Sequence, residues 1–184
     1  MARTHRKATA TRKMVGGQHA ARGRVALAGS SRPTARNSVC RRAGELSGVI
    51  LDTNVLSELA RDPPHPSVLD YVTRQENAWI STITTHELTY GIERLPDGAR
   101  KRRLSSIIQS LLDDYSDRLL PIGTEEARNA ALLRIRAEQQ GQTLHLADAL
   151  IAGTAMARGF AIATRNVSDF SGLAFAVIDP WSER

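Results

Sequence analysis

From Val49 onward the chain alternates short, uninterrupted apolar runs with longer stretches whose apolar residues recur every three or four positions. A run with no polar alternation suits a strand covered on both faces, and the longer period suits an amphipathic helix. "VILD" (49–52), "AWIST" (78–82), "RLLPIG" (118–123), "FAIAT" (160–164) and "AFAVI" (174–178) read as strands. Helices are expected over 54–60, 66–75, 84–95, 99–115, 124–141 and 146–159. Pro66 suits a first helical residue, and Gly141 and Gly159 stand just past two helix ends. Such strict alternation implies parallel pairing, an open α/β sheet with helices on both faces. Function in sheets of this kind gathers beyond the carboxyl ends of the strands.

The charge is divided between two regions. Residues 1–48 hold 11 Lys and Arg against one acid, Glu45, whereas residues 49–184 hold 14 Lys and Arg against 18 acids. The basic pI therefore belongs to the first segment, which shows no sustained apolar period and is expected to be a disordered tail. A nucleic-acid arm, a transit peptide and a start assigned too far upstream are its competing readings, the last favoured because the first strand begins abruptly at Val49. Residues 49–184 are expected to form one domain. The single cysteine, Cys40, excludes an intrachain disulfide and a cysteine zinc site, in keeping with a reducing cytoplasm. No apolar run approaches the roughly 18–20 residues of a membrane span, and the first 25 residues lack the apolar stretch of a secretory signal.

Four acids are expected at one rim of the sheet. Asp52 ends the first strand, and Glu87 lies in the first turn of the helix after the second. Asp148 begins the helix before the fourth, and Asp169 follows that strand in "TRNVSDF". Each has a structural alternative: a turn or cap for Asp52, a capping box with Thr84 for Glu87, dipole preference for Asp148 and a polar loop for Asp169. Taken together they are harder to explain structurally. Carboxylates held close repel one another unless a cation compensates, and the fitting cation is hard and oxygen-loving, Mg2+ or Mn2+. Such ions suit phosphodiester hydrolysis.

"VILDTNVLSEL", "ITTHELTYGI", "LADALIAGTAMARGFAIATRNVSDF" and "VIDPW" together resemble the PIN domain, specifically the VapC/FitB-type toxins of toxin–antitoxin pairs. The likeness runs from Val49 to about Trp181. It implies a small three-layer α/β/α sandwich with a mainly parallel sheet, RNA cleavage with Mg2+ or Mn2+, and silencing by a cognate antitoxin. It also implies self-association as a homodimer or higher homo-oligomer. By position, Asp52, Glu87 and Asp148 become the core acids and Asp169 the more variable fourth, with Asp52 and Asp148 as direct metal ligands. Thr53, Asn54, Thr164 and Asn166 become supporting polar residues. Gly91 matches a family glycine, whose physical use would be close helix packing. The 48 preceding residues depart from the family pattern.

Further candidates stand near these motifs. Arg165 suits a phosphate contact, His145 could reach the same site if its helix starts early, and His86 should face elsewhere. The "ARKRR" run (99–103) reads first as a solvated helix start and second as an RNA contact. Phosphoaspartate enzymes fit poorly, because Asn54 stands where one class needs a second Asp and no lysine follows Thr164 as another needs. The chief rival is a catalytically silent PIN-like module that binds nucleic acid through the basic tail.

Overall fold

The alternating pattern folds as five parallel strands between two helical layers. The computed structural model describes residues 47–173 and 175–182. The tail expected to be disordered lies outside these residues up to position 46, as does Ala174 of the last expected strand.

The elements follow in chain order: β1 (Val49–Leu51), α1 (Thr53–Leu59), α2 (Pro66–Arg74), β2 (Ala78–Ser81), α3 (Thr82–Glu93), α4 (Ala99–Asp114), β3 (Leu119–Leu120), α5 (Thr124–Gln139), α6 (Leu146–Arg158), β4 (Ala161–Ala163) and β5 (Val177–Ile178). The strands are shorter than their apolar runs because ladder pairing ends where the chain turns into a helix. Pro66 is the first residue of α2 as expected, and Gly159 closes α6 in the left-handed conformation (φ 65°).

Strand order is β3-β2-β1-β4-β5, and every pair is parallel. The period of two sorts each strand between two cores. Val49, Leu51, Ala78, Ile80, Ala161 and Ala163 face one cluster, built with Val55, Leu56, Val68, Tyr71, Leu88 and Ile108 of α1–α4. Ile50 and Ile162 face the other, with Leu133 and Ala137 of α5 and Ala149, Ile151 and Ala155 of α6. This is the expected three-layer α/β/α sandwich. The chain winds from β1 to one side, through β2 and β3, then crosses to β4 on the other side. The crevice beyond the ends of β1 and β4 is therefore the topological switch point, where open sheets of this kind bind ligands.

One expected packing role moves. A Cβ on Gly91 would meet nothing within 4 Å, so this glycine does not serve close helix packing. Gly153 of α6 does: a Cβ there would lie 2.4 Å from the Glu126 carbonyl oxygen and 2.7 Å from the Ala130 nitrogen of α5. Backbone cannot swing aside as a side-chain tip can. Gly153→Ala is expected to destabilise by about 1–3 kcal/mol through overpacking. Gly91→Ala should be neutral or stabilising by up to about 1 kcal/mol through helix propensity. Urea denaturation of both variants checks the contrast.

Candidate active site

The site begins with the end of β1. Asp52 leaves the strand with its backbone N–H on the Ala163 carbonyl (3.0 Å), which ties it to the adjacent end of β4. It is also the N-cap of α1, accepting the Thr53 N–H at 2.6 Å. The cap and the site thus use one side chain. Its second oxygen accepts from Asn54 Nδ2 (2.6 Å) and from the Thr164 hydroxyl (2.7 Å). Asn54 also donates to Thr164 Oγ1 (2.9 Å), and its Oδ1 accepts the Arg165 N–H (3.1 Å). The Asn166 N–H closes the network on Thr164 Oγ1 at 3.0 Å. "DTN" and "TRN" are therefore two halves of one clamp that fixes the Asp52 carboxylate, only 4% exposed.

Glu87 corrects the expectation of a capping box. The helix begins at Thr82 and is capped by the Ser81 hydroxyl, which accepts the Ile83 N–H at 3.2 Å. Glu87 therefore lies in the second turn, too far along to reach the cap. Thr84, its supposed partner, is fully buried with its hydroxyl unpaired. The Glu87 carboxylate instead accepts a short hydrogen bond from Thr53 Oγ1 (2.5 Å). Thr53 thus donates to both acids, to Asp52 through its backbone N–H and to Glu87 through its side chain.

Asp148 stands at the third position of α6, after the cap residue His145. Asp52, Glu87 and Asp148 line one pocket of about 340 Å3 with Thr53, Asn54, Arg165 and Asn166. Asp169, in a 3-10 turn over Val167–Phe170, does not line it, although its charge acts on both Asp52 and Asp148. His145 is exposed, and its charge bears on Asp148 without joining the lining. His86 stacks on Tyr90, with ring centroids 6.1 Å apart, on the outer face expected for it. In the basic run, Lys101 pairs with Glu93 and Asp97, and Arg103 pairs with Asp62.

Burial raises the Asp52 pKa, hydrogen bonds from Thr164 and Thr53 oppose it, and the Glu87 and Asp169 charges add to it. Asp148 is pushed up to about 6, by burial first and then by Asp52, Glu87 and Asp169. The macrodipole at its helix start, typically about 0.3–1 kcal/mol, is outweighed. Among the described residues no Lys or Arg pairs with any of the four acids. The donors are all hard oxygens, and the negative charge is uncompensated, which fits a divalent cation. No three acids or histidines among the described residues form a ready-made cage.

A pH consequence follows. The folded Asp148 holds a proton up to about pH 6, whereas its ordinary value is 3.8. Between those values the folded state binds more protons than the unfolded one, so this group's contribution to stability falls as pH rises. For a half-open group the loss should be about 1–2 kcal/mol above pH 6. Denaturation in chelator should show it, and Asp148→Asn should flatten that part of the profile.

Four further residues line the pocket without having been expected there: Ser57, Glu58, Arg61 and Trp181. Asn54, Ser57 and Glu58 recur at helical spacing along α1, and Arg61 follows at the same spacing just past its end, a signal available once Asn54 is placed at the site. Glu58 is buried, accepting the His65 N–H at 3.1 Å and pairing with Arg61 at 3.3 Å. It joins α1 to the start of α2. Trp181 lies beyond the end of β5.

Residues 49–176 match the PIN domain model, and the chain belongs to the PIN-domain family. It is 35% identical over 136 residues to the VapC ribonuclease Y4jK of Sinorhizobium fredii, covering 72% of this chain and 97% of that protein. Toxin FitB of Neisseria gonorrhoeae is 33% identical over 138 residues, covering 73% and 99% respectively. Among solved structures, FitAB bound to the IR36 DNA fragment superposes with a TM-score of 0.68 at 32% identity, covering 74% of this chain and 97% of that one. Among the described residues no helix is long and apolar enough to cross a membrane.

Proposed function

We propose that this chain is a divalent-metal-dependent endoribonuclease and the toxin of a toxin–antitoxin pair acting in the cytoplasm. Residues 49–184 serve as the nuclease unit and residues 1–48 as an extension outside it. The observation that carries this reading is the pocket itself, where Asp52, Glu87 and Asp148 converge from three segments and, among the described residues, none of them is ion-paired to a Lys or Arg. An idle site has no physical reason to keep such repulsion.

Asp52 and Asp148 are the direct ligands in this reading, and Glu87 binds directly or through water. Asp169 steadies a second ion or its water shell. Mg2+ is the expected ion, with Mn2+ as a substitute; when bound, it activates water and screens phosphate charge. Asn54 and Thr164 hold Asp52 in one orientation, Thr53 holds Glu87, and Asn166 steadies Thr164 through its backbone. Arg165 faces the phosphate.

The antitoxin reading is supported by relatives named as toxins and by a second groove. This groove, about 740 Å3 between α1, α3 and α4, is lined by Leu88, Ile92, Leu95, Leu104 and Ile108. It shares Ser57, Arg61 and Glu87 with the acidic pocket, so a protein seated in it would reach the pocket's edge and cover Glu87. Self-association through helical faces is supported by Leu132 and Ile135 of α5, which are 49% and 52% exposed.

Purified protein incubated with single-stranded RNA tests the enzymatic reading. Cleavage should stop in excess chelator and return with added Mg2+ or Mn2+. Undiminished cleavage in chelator overturns the metal-dependent mechanism, and binding without cleavage returns the chain to a silent module. Expression should arrest growth unless the antitoxin is co-expressed, and sequencing the cleaved RNA ends would identify the target.

A further inference from the structure

We infer that Trp181 is a positioning residue for Arg165. Its indole holds the guanidinium at the lip of the acidic pocket, off the carboxylates, where it takes a phosphate of the RNA beside the bond to be cut. This inference rests on the nuclease reading above. Two arginines line the pocket. Arg61 is committed to Glu58 at 3.3 Å, whereas Arg165 makes no ion pair among the described residues although acids stand nearby. An exposed arginine beside uncompensated carboxylates is drawn onto them unless something else fixes it.

Two contacts fix this one. Its backbone N–H is bound by Asn54 Oδ1 (3.1 Å), the same side chain that orients Asp52. Its guanidinium carbon lies 5.5 Å from the centre of the Trp181 ring, within range of a cation–π contact. Trp181 is anchored in turn. Its backbone N–H donates to Asp179 Oδ1 (2.9 Å), and its ring packs against the core beneath α1–α4. The core thus supports the indole, and the indole supports the guanidinium. A polyanion approaching three acids is repelled, so a fixed cation at their edge is what admits a phosphate.

The test uses a fluorescein-labelled, mixed-sequence, 12-nucleotide single-stranded RNA. Binding is read by anisotropy across a KCl series in full-length protein carrying Asp148→Asn, and cleavage is read in the otherwise wild-type protein. Arg165→Gln should weaken binding about 5–10-fold and reduce the salt slope by about 0.7, the loss of one single-strand phosphate contact. Trp181→Leu should reproduce both changes and Trp181→Phe should keep most of each. Trp181→Leu combined with Arg165→Gln should be no weaker than Arg165→Gln alone. Cleavage should lose kcat/KM mainly through KM.

Melting followed by circular dichroism checks each fold, and Trp181→Met replaces the leucine variant if that one unfolds. A folded Trp181 variant with an unchanged salt slope, additive losses in the double variant, or a phenylalanine variant as weak as the leucine one overturns the inference. So does wild-type protein that cleaves RNA while Arg165→Gln binds it unchanged. Wild-type protein that never cleaves in Mg2+ sinks the nuclease reading itself, which separates the two failures.

Discussion

Asp148→Asn should reduce RNA cleavage by at least about 10³-fold, or about 4 kcal/mol of transition-state stabilisation, while making the metal-free protein more stable at neutral pH. The two effects share one cause. Burial and the charges of Asp52, Glu87 and Asp169 oppose ionisation of this carboxylate, the His145 charge offsets them only in small part, and among the described residues no hydrogen bond compensates it. Its amide counterpart escapes that repulsion but offers a metal one neutral oxygen. Asp52→Asn should be equally inactive without the gain in stability. Asp52 accepts from Thr53 on one oxygen and from Asn54 and Thr164 on the other, so in either orientation an amide nitrogen there would face a donor. Cleavage rates and urea denaturation of both variants, in chelator and in Mg2+, check the pattern. A stabilised but fully active Asp148→Asn enzyme would leave Asp148 as a strained helix-start residue with no part in chemistry.

Glu87→Gln should lower cleavage by about 10²-fold or more with little change in fold. The helix is capped by Ser81, so Glu87 has no cap to lose, and glutamine can still accept from Thr53 Oγ1. What disappears is one negative charge in the pocket. Combined with Asp148→Asn, the loss should be far less than additive, because both substitutions disable one site. Single-turnover cleavage by the two single variants and the double variant reads this directly. Glu87→Gln with wild-type activity would reduce Glu87 to a hydrogen-bond partner of Thr53.

The fold was legible because parallel strands buried on both faces leave an unusual trace, short apolar runs separated by helical periods. The placement of Asp52, Glu87 and Asp148 followed from the rule that such sheets work at the carboxyl ends of their strands. Four things were not legible. "TTHE" matches a capping box, but Ser81 supplies the cap one turn earlier, since "AWIS" already ends the strand. Gly91 and Gly153 look alike as helical glycines, and only the approach of α5 to α6 distinguishes them. The pairing of Asn54 with Thr164 joins residues 110 positions apart, a distance that no local pattern spans. Trp181 was visible within "VIDPW", yet its contact with Arg165 depends on how β5 sits beside β4.

The central claim is that the acids at the end of β1 and the start of α6 hold one cation for RNA cleavage. Anomalous scattering from crystals soaked in Mn2+, at a concentration that supports full cleavage in solution, tests it most directly. A Mn2+ peak within bonding distance of carboxylate oxygens of both Asp52 and Asp148, lost in Asp148→Asn crystals, is the predicted result. No peak in this pocket under those conditions, or Mn2+ bound only elsewhere, would contradict it.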